Sequence, residues 1–305
     1  MKNTALVIGY GSIGKRHARI LSDIVGKENI TVLTKQKDIP FNTISDSDEI
    51  KNLNPDYVVV CTDTSDHLDK LLFLEKNLEN KLVLVEKPLY IEYNDLVLKN
   101  NKYFVGYNLR FNPLMQILKK ELKNEEIIIT KAICYSYLPS WKPGIDYRST
   151  YSASETRGGG VLLDLSHEID SILYLFNNSM SHLWSYNKKI SFLDIDSDDY
   201  FFALGKINKS VFTVETNYFS LQSKRKILVE TRNKSYELDL LESSLKITSQ
   251  KEQQLIEKEF KIDQTYIDQH KDILSQRFHD VCTLDEGLEI LRFISEVRKL
   301  NSDEE

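Results

Sequence analysis

The sequence predicts an α/β protein whose N-terminal part is a doubly wound parallel sheet and whose C-terminal part is an α/β domain containing a large, mainly antiparallel open sheet. Three observations carry that expectation. Short apolar runs alternate with helical patterns through the first third of the chain, a glycine-rich turn joins the first run to the first helix, and beyond residue 120 the runs lengthen and fill with β-branched and aromatic residues. At 305 residues the chain exceeds the size at which one core usually keeps growing, so two domains are expected, 1–120 and 121–305.

The parallel strands are Ala5–Ile8, Ile30–Leu33, Tyr57–Cys61, Leu82–Val85 and Tyr103–Val105. Between the first two, Ile13, His17, Ile20, Leu21 and Ile24 recur at helical spacing and give the first crossover helix an apolar face. A charged helix follows Phe111-Asn112-Pro113 and runs through Lys123. Glu126–Tyr135, Tyr200–Ile207, Val211–Phe219, Lys226–Thr231 and Tyr236–Leu240 then read as consecutive antiparallel strands, the last pair joined by a turn at Arg232–Ser235. One helix interrupts them after Gly158-Gly159-Gly160 and runs to Phe176, where Asn177-Asn178 stops it. Another follows Thr283, which forms a capping box with Glu286 and precedes the apolar stripe Leu284, Leu288, Leu291, Ile294 and Val297.

Composition narrows the function classes. Hydrophobic residues are 41% and charged residues 28%, as in ordinary globular proteins. The 40 basic and 46 acidic residues leave a net charge of -6 and are interspersed rather than gathered into a basic face, which argues against a nucleic-acid partner. No stretch approaches a membrane span, and Met1–Gly14 reads as a buried strand broken by glycines rather than as a signal peptide. Cys61, Cys134 and Cys282 are widely spaced with no C-x-x-C or His/Cys cluster, so neither a disulfide framework nor a metal site is suggested and the reducing cytoplasm is the expected compartment.

Gly9-Tyr10-Gly11-Ser12-Ile13-Gly14 is a G-x-G-x-x-G between a strand and a helix, the context a Rossmann dinucleotide site requires. Its glycines permit a tight turn and close backbone approach, so a pyrophosphate can rest on free N–H groups at the positive end of the helix dipole. Where an acidic residue would bind the ribose of NAD, the chain has Thr34-Lys35-Gln36-Lys37. A carboxylate there would repel a 2′-phosphate, whereas Thr34, Lys35 and Lys37 accept one, so NAD(P) is expected with a lean to NADP; a solvated lysine loop is the alternative.

Two further constellations carry chemistry. Glu86-Lys87-Pro88 follows an apolar strand at the carboxyl edge of the sheet, where open α/β folds bind ligands. A lysine there, with its pKa lowered by a low-dielectric cleft, can exchange a hydroxyl proton as hydride leaves. Beyond the glycine triplet, Asp164 and His167 are three apart and therefore neighbours on one helical face, a pairing that suits proton handling. The competing reading makes Asp164 a helix cap and His167 a core histidine.

These motifs in this order resemble the Gfo/Idh/MocA oxidoreductase family, with further likeness at Thr62 to His67 and at Gly106-Tyr107-Asn108-Leu109-Arg110-Phe111. The resemblance spans most of the chain. It implies that Lys87 and His167 work beside a nicotinamide with Asp164 nearby, although many members place four residues from aspartate to histidine. It further implies a cofactor site of Gly9, Gly11, Ser12, Ile13, Gly14, Thr34, Lys35, Thr62, His67 and Glu86, and a homodimer or homotetramer formed through the C-terminal sheet. The segment Trp141-Lys142-Pro143-Gly144-Ile145-Asp146-Tyr147-Arg148 is similar to a stretch in members of surface-polysaccharide and nonulosonic-acid biosynthesis. Trp141, Tyr107 and Tyr147 would then meet a sugar or sugar nucleotide, with Arg110, Lys142 and Arg148 binding phosphate or carboxylate groups. The expected reaction is hydride transfer at a hydroxyl or keto carbon. Two rival readings are an elimination or epimerisation that uses tightly bound NAD transiently, and a non-enzymatic nucleotide sensor or assembly subunit.

Overall fold

A computed structural model describes residues 3–176 and 180–302, with side chains described up to Lys299. The chain divides into two units, Met1–Phe111 with Lys261–Leu288, and Asn112–Phe260 with Glu289–Glu305.

In the first unit, β1 (Ala5–Ile8), β2 (Ile30–Leu33), β3 (Asn42–Ile44), β4 (Tyr57–Val60), β5 (Leu82–Val85) and β6 (Lys102–Val105) form a sheet in the order 3-2-1-4-5-6, all parallel. That is the doubly wound dinucleotide-binding order, with its switch point between β1 and β4. Every residue of β1, β2 and β4 is buried, as parallel strands covered on both faces require. The crossover helices are α1 (Ser12–Val25), α2 (Glu49–Leu53) and α3 (His67–Asn77). The expected apolar face of α1 is the buried one, through His17, Ala18, Ile20, Leu21 and Val25. Strand β3 escaped sequence reading, because it is three residues long and its Asn42 and Thr43 are polar and exposed at the sheet edge.

The second unit opens with α4 (Pro113–Leu122), which Asn112 caps by accepting from the Leu114 and Met115 N–H groups. An eight-stranded sheet follows: β7 (Ile127–Tyr137), β8 (Ser181–Lys188), β9 (Tyr200–Ile207), β10 (Ser210–Asn217), β11 (Phe219–Thr231), β12 (Lys234–Asp239), β13 (Ser244–Ser249) and β14 (Gln253–Glu257), ordered 14-13-12-11-7-10-9-8. One pairing departs from the expectation of consecutive antiparallel strands, since β10 runs parallel to β7. The chain leaves β7, makes a long excursion and returns through the β8–β9–β10 meander, so β10 arrives in the direction β7 left. Leu114, Leu118 and Leu122 of α4 pack with Ile227, Val229, Tyr236, Leu238, Leu245 and Ile247 to form the core on one face of the sheet. On the strands of the other half, residues alternate between buried and half-exposed.

The helix expected from residue 161 to 176 is two pieces, α5 (Val161–Asp164) and α6 (His167–Phe176). Leu165, at φ -100° and ψ 26°, leaves helical geometry and breaks it. The Asn177-Asn178 stop lies outside the described residues. Returning to the first unit, α7 (Ile262–Leu274) is followed by β15 (Cys282–Thr283), which pairs antiparallel with β6. Ile273 and Val281 belong to the core beneath β1 and β4. The division therefore differs from the expected 1–120 and 121–305, because the burial of these later residues draws 261–288 into the first unit. The last helix, α8 (Leu284–Ser302), begins at the expected capping box, where Thr283 N–H donates to Glu286 Oε2 at 2.8 Å and Glu286 N–H donates to Thr283 Oγ1 at 3.3 Å.

Gly205 of β9 lies directly opposite Phe212 of β10, and a Cβ on it would stand 2.2 Å from the Phe212 ring. Gly205→Ala is therefore expected to lower stability by about 2 kcal/mol, read from denaturant unfolding.

Candidate functional site

In the first unit, the turn after β1 uses its three glycines differently. Gly9 has φ 94°, and a Cβ on it would stand 2.7 Å from the Cys61 carbonyl oxygen, so only glycine fits. A Cβ on Gly14 would stand 2.2 Å from the Gly9 carbonyl oxygen, so this glycine lets α1 pack against the turn. Around Gly11 nothing lies within 4 Å of a Cβ position among the described residues. Gly11 is also the N-cap of α1, no described side chain bonds to that cap, and the first turn holds no acid. Exposed N–H groups at the start of a 14-residue helix, beside an open space, suit a pyrophosphate.

The Thr34–Lys37 loop is tied to this turn. Gly9 N–H donates to the Leu33 carbonyl at 3.1 Å, and the Gln36 side-chain amide donates to the Tyr10 carbonyl at 3.1 Å. Thr34 Oγ1 accepts from Gln36 N–H at 3.1 Å, while Lys35 and Lys37 are exposed. Gln36 went unremarked in the sequence because nothing in its spacing shows that it anchors the loop.

At the carboxyl edge of β4 and β5, His67 is a staple. Its Nδ1 is 3.0 Å from the Pro88 carbonyl and its Nε2 is 3.2 Å from the Thr62 carbonyl, so it binds the two loops together. Burial holds its imidazole below the ordinary histidine range despite those carbonyls, leaving a neutral ring that donates from one nitrogen at a time. Glu86, expected at the cofactor, turns inward: Oε1 meets His17 Nε2 at 2.8 Å and Oε2 accepts from Lys87 N–H at 3.2 Å. Lys87 itself is half-buried at the end of β5. Tyr107 is buried. Arg110, expected to bind a substrate anion, is instead 2% exposed and donates to Glu286 at 2.9 Å, because a buried guanidinium must be paired.

In the second unit, the glycine triplet lets the chain pass close to one backbone and one carboxylate. A Cβ on Gly159 would stand 2.1 Å from the Tyr151 carbonyl, and one on Gly160, at φ 110°, would stand 2.3 Å from Asp198 Oδ1. Asp198 caps α5, accepting from Leu162 N–H at 2.9 Å, while its main-chain carbonyl accepts from Val161 N–H at 2.9 Å. Burial raises its carboxyl above the ordinary range. The helix break falls between Asp164 and His167. Asp164 Oδ2 accepts from the fully buried Tyr218 hydroxyl at 2.6 Å, and the Tyr218 ring meets Trp141 edge-on at 5.2 Å. Between residues 161 and 175 every side chain is buried except that of His167, which is half-exposed.

The Trp141–Arg148 loop is held both within itself and by Tyr151, Asp194 and Tyr218. Arg148 grips Asp146 through two parallel bonds of 2.9 and 2.7 Å, which holds that carboxyl below the ordinary range. Tyr147 Oη accepts from Asp194 N–H at 3.2 Å, and Lys142 lies 6.0 Å over the Tyr151 ring. The hollow lined by Trp141, Lys142 and Tyr147 has a volume of about 10 Å³, enough for one water at most. Tyr218 and Asp198 are the functional neighbours that sequence reading missed; they lie 54 and 36 residues from their partners, beyond any local pattern.

No family model matches the chain. The curated protein "Uncharacterized oxidoreductase YrbE" of Bacillus subtilis (strain 168) is 24% identical over 198 residues, an alignment covering 59% of this chain and 55% of that relative, little more than half its length. Among solved structures, levoglucosan dehydrogenase in complex with NADH and levoglucosan superposes with a TM-score of 0.84 at 14% identity, covering 100% of this chain and 98% of that one. UDP-N-acetylglucosamine 3-dehydrogenase GnnA from Acidithiobacillus ferrooxidans gives 0.76 at 16% identity, covering 98% and 97%. The fold is that of Gfo/Idh/MocA-type oxidoreductases. A third structure with that fold, GenD2 from gentamicin A biosynthesis in complex with NAD, has a TM-score of 0.78 at 14% identity over 100% of this chain and 96% of its own. Among the described residues no helix is long and apolar enough to cross a membrane, and no group of three or more His, Cys, Asp or Glu is placed to hold a metal ion.

The glycines separate by stability. Gly14→Ala is expected to cost about 2 kcal/mol or more and Gly11→Ala less than about 1 kcal/mol, measured as paired thermal and denaturant transitions.

Proposed function

We propose that this chain is an NAD(P)-dependent oxidoreductase of the Gfo/Idh/MocA family that acts on a hydroxyl or keto carbon of a sugar or sugar nucleotide in the cytoplasm. The observation that supports it most is the open space over Gly11 at the start of α1, where a side chain would fit without clash yet the sequence keeps glycine. Sugar-acting dehydrogenases with this fold, named above, support the substrate class.

When bound, the nicotinamide supplies or accepts the hydride. The chain's part is to hold the dinucleotide and move one proton. Gly11, Ser12, Ile13 and Gly14 offer backbone N–H groups to the pyrophosphate, with Gly9 shaping the turn and Thr62 beside it. Thr34 and Lys35 take the ribose end. In this reading Lys87 removes or returns the substrate hydroxyl proton with help from His167, while Asp164 is the accompanying acid, anchored by Tyr218. Trp141, Lys142, Tyr147 and Arg148 are proposed to contact the sugar from the exposed side of their loop. The half-exposed face of the second sheet, which presents Trp184, Tyr186, Tyr200 and Phe202, is proposed to join copies into a homodimer or homotetramer.

Lys87→Met is expected to abolish turnover of a sugar and sugar-nucleotide panel while leaving NADH affinity within about twofold; unchanged turnover defeats the assignment. Cofactor choice is tested separately. The double variant Lys35→Glu with Lys37→Glu is expected to weaken NADPH binding at least about tenfold relative to NADH in fluorescence titrations, and an equal effect on both cofactors removes the lean to NADP.

A further inference from the structure

The Glu86–His17 contact is one end of a longer row. His17 Nδ1 lies 2.8 Å from Nε2 of His270 on α7, and His270 Nδ1 lies 2.8 Å from the hydroxyl of Tyr57, the first residue of β4. With the 2.8 Å contact between His17 Nε2 and Glu86 Oε1, four titratable side chains stand in file. His17, His270 and Tyr57 are each 0% exposed and Glu86 is 8% exposed. A polar row of this length is tolerated in a core only when each proton has a defined place.

The two ends decide that order. A carboxylate only accepts, and a phenol has a proton to give. With Glu86 ionised, His17 donates to it from Nε2, His270 donates from Nε2 to His17 Nδ1, and Tyr57 donates to His270 Nδ1. Three bonds then hold three protons, and both imidazoles are neutral. If Glu86 is protonated and donates instead, both tautomers reverse and the Tyr57 hydrogen turns into the apolar core, where the described residues give it no second acceptor. Burial keeps the His270 imidazole well below the ordinary histidine range and the Tyr57 phenol well above its own, so neither takes a charge near neutrality.

We propose that Tyr57, His270 and His17 are positioning residues that lock Glu86 as a carboxylate, and that Glu86, through its second oxygen on the Lys87 N–H, sets the backbone from which Lys87 works. The proposal rests on Lys87 being the proton-handling residue. The titratable groups that face Glu86 and the imidazoles are Cys61, His67, Lys87 and Tyr266, with Arg16 over the Tyr266 ring and Asp263 beyond it. A proton placed on Glu86 would reverse the order and leave the Lys87 N–H on an uncharged acceptor. Removing the Tyr57 hydroxyl takes from His270 Nδ1 its donor in the first order and its acceptor in the reversed one, so the preference for the carboxylate order weakens.

Long-range proton–nitrogen spectra of the full chain labelled at histidine nitrogens test the order directly. Both His17 and His270 are expected as Nε2–H tautomers. In Tyr57→Phe, the acid limb of turnover against pH is expected to move up by roughly half to one pH unit with the thermal midpoint nearly kept. An Nδ1–H tautomer at either histidine, or an acid limb that stays in place in Tyr57→Phe, overturns the proposal. Full activity in Lys87→Met would instead defeat the catalytic assignment, and it would leave the tautomers unaltered.

Discussion

The first unit depends on one close approach, that of the Gly9 backbone to the carbonyl of Cys61, where a Cβ would have only 2.7 Å. It brings the ends of β1 and β4 together at the switch point of the sheet. From that fixed turn α1 starts without a side-chain cap, which leaves its first N–H groups pointed at open space. The same helix then carries His17, in its second turn, to the carboxyl group of Glu86 at the end of β5. Steric exclusion at one glycine thus places both the uncapped start of α1 and the carboxyl group behind Lys87.

Much of this was legible because it is local. The parallel strands are continuous apolar runs, the glycine turn sits between a strand and a helix, and the Thr283–Glu286 box closes over three residues. The parallel pairing of β10 with β7 was not legible, since direction within a sheet is set by connections of many residues rather than by the pattern of either strand. The edge strands β8 and β14 mix polar with apolar residues and gave too little alternation to read.

Side-chain fates were least legible of all. Arg110 has the look of an anion binder until Glu286, 176 residues away, arrives beside it. Asp164 and His167 have helical spacing, but the backbone turns at Leu165 and Asp164 is taken by Tyr218. In each case the deciding partner is distant in sequence, and a buried charge or carboxylate follows its partner rather than its local pattern. His167 shows the opposite case, an opening in an otherwise sealed run that no periodicity marks.

The return of 261–288 to the first unit has a consequence for how the protein is made. His270, Ile273, Val281 and the strand Cys282–Thr283 complete a unit whose other members end at Phe111, so translation must pass all of the second unit's sheet before the first unit can close. On the ribosome, the second unit's sheet emerges in full while β6 still lacks its outer neighbour and His17 still lacks His270. A nascent chain released before residue 288 would carry the glycine turn intact and still present an unfinished edge, a natural handle for chaperones or proteases that police incomplete synthesis.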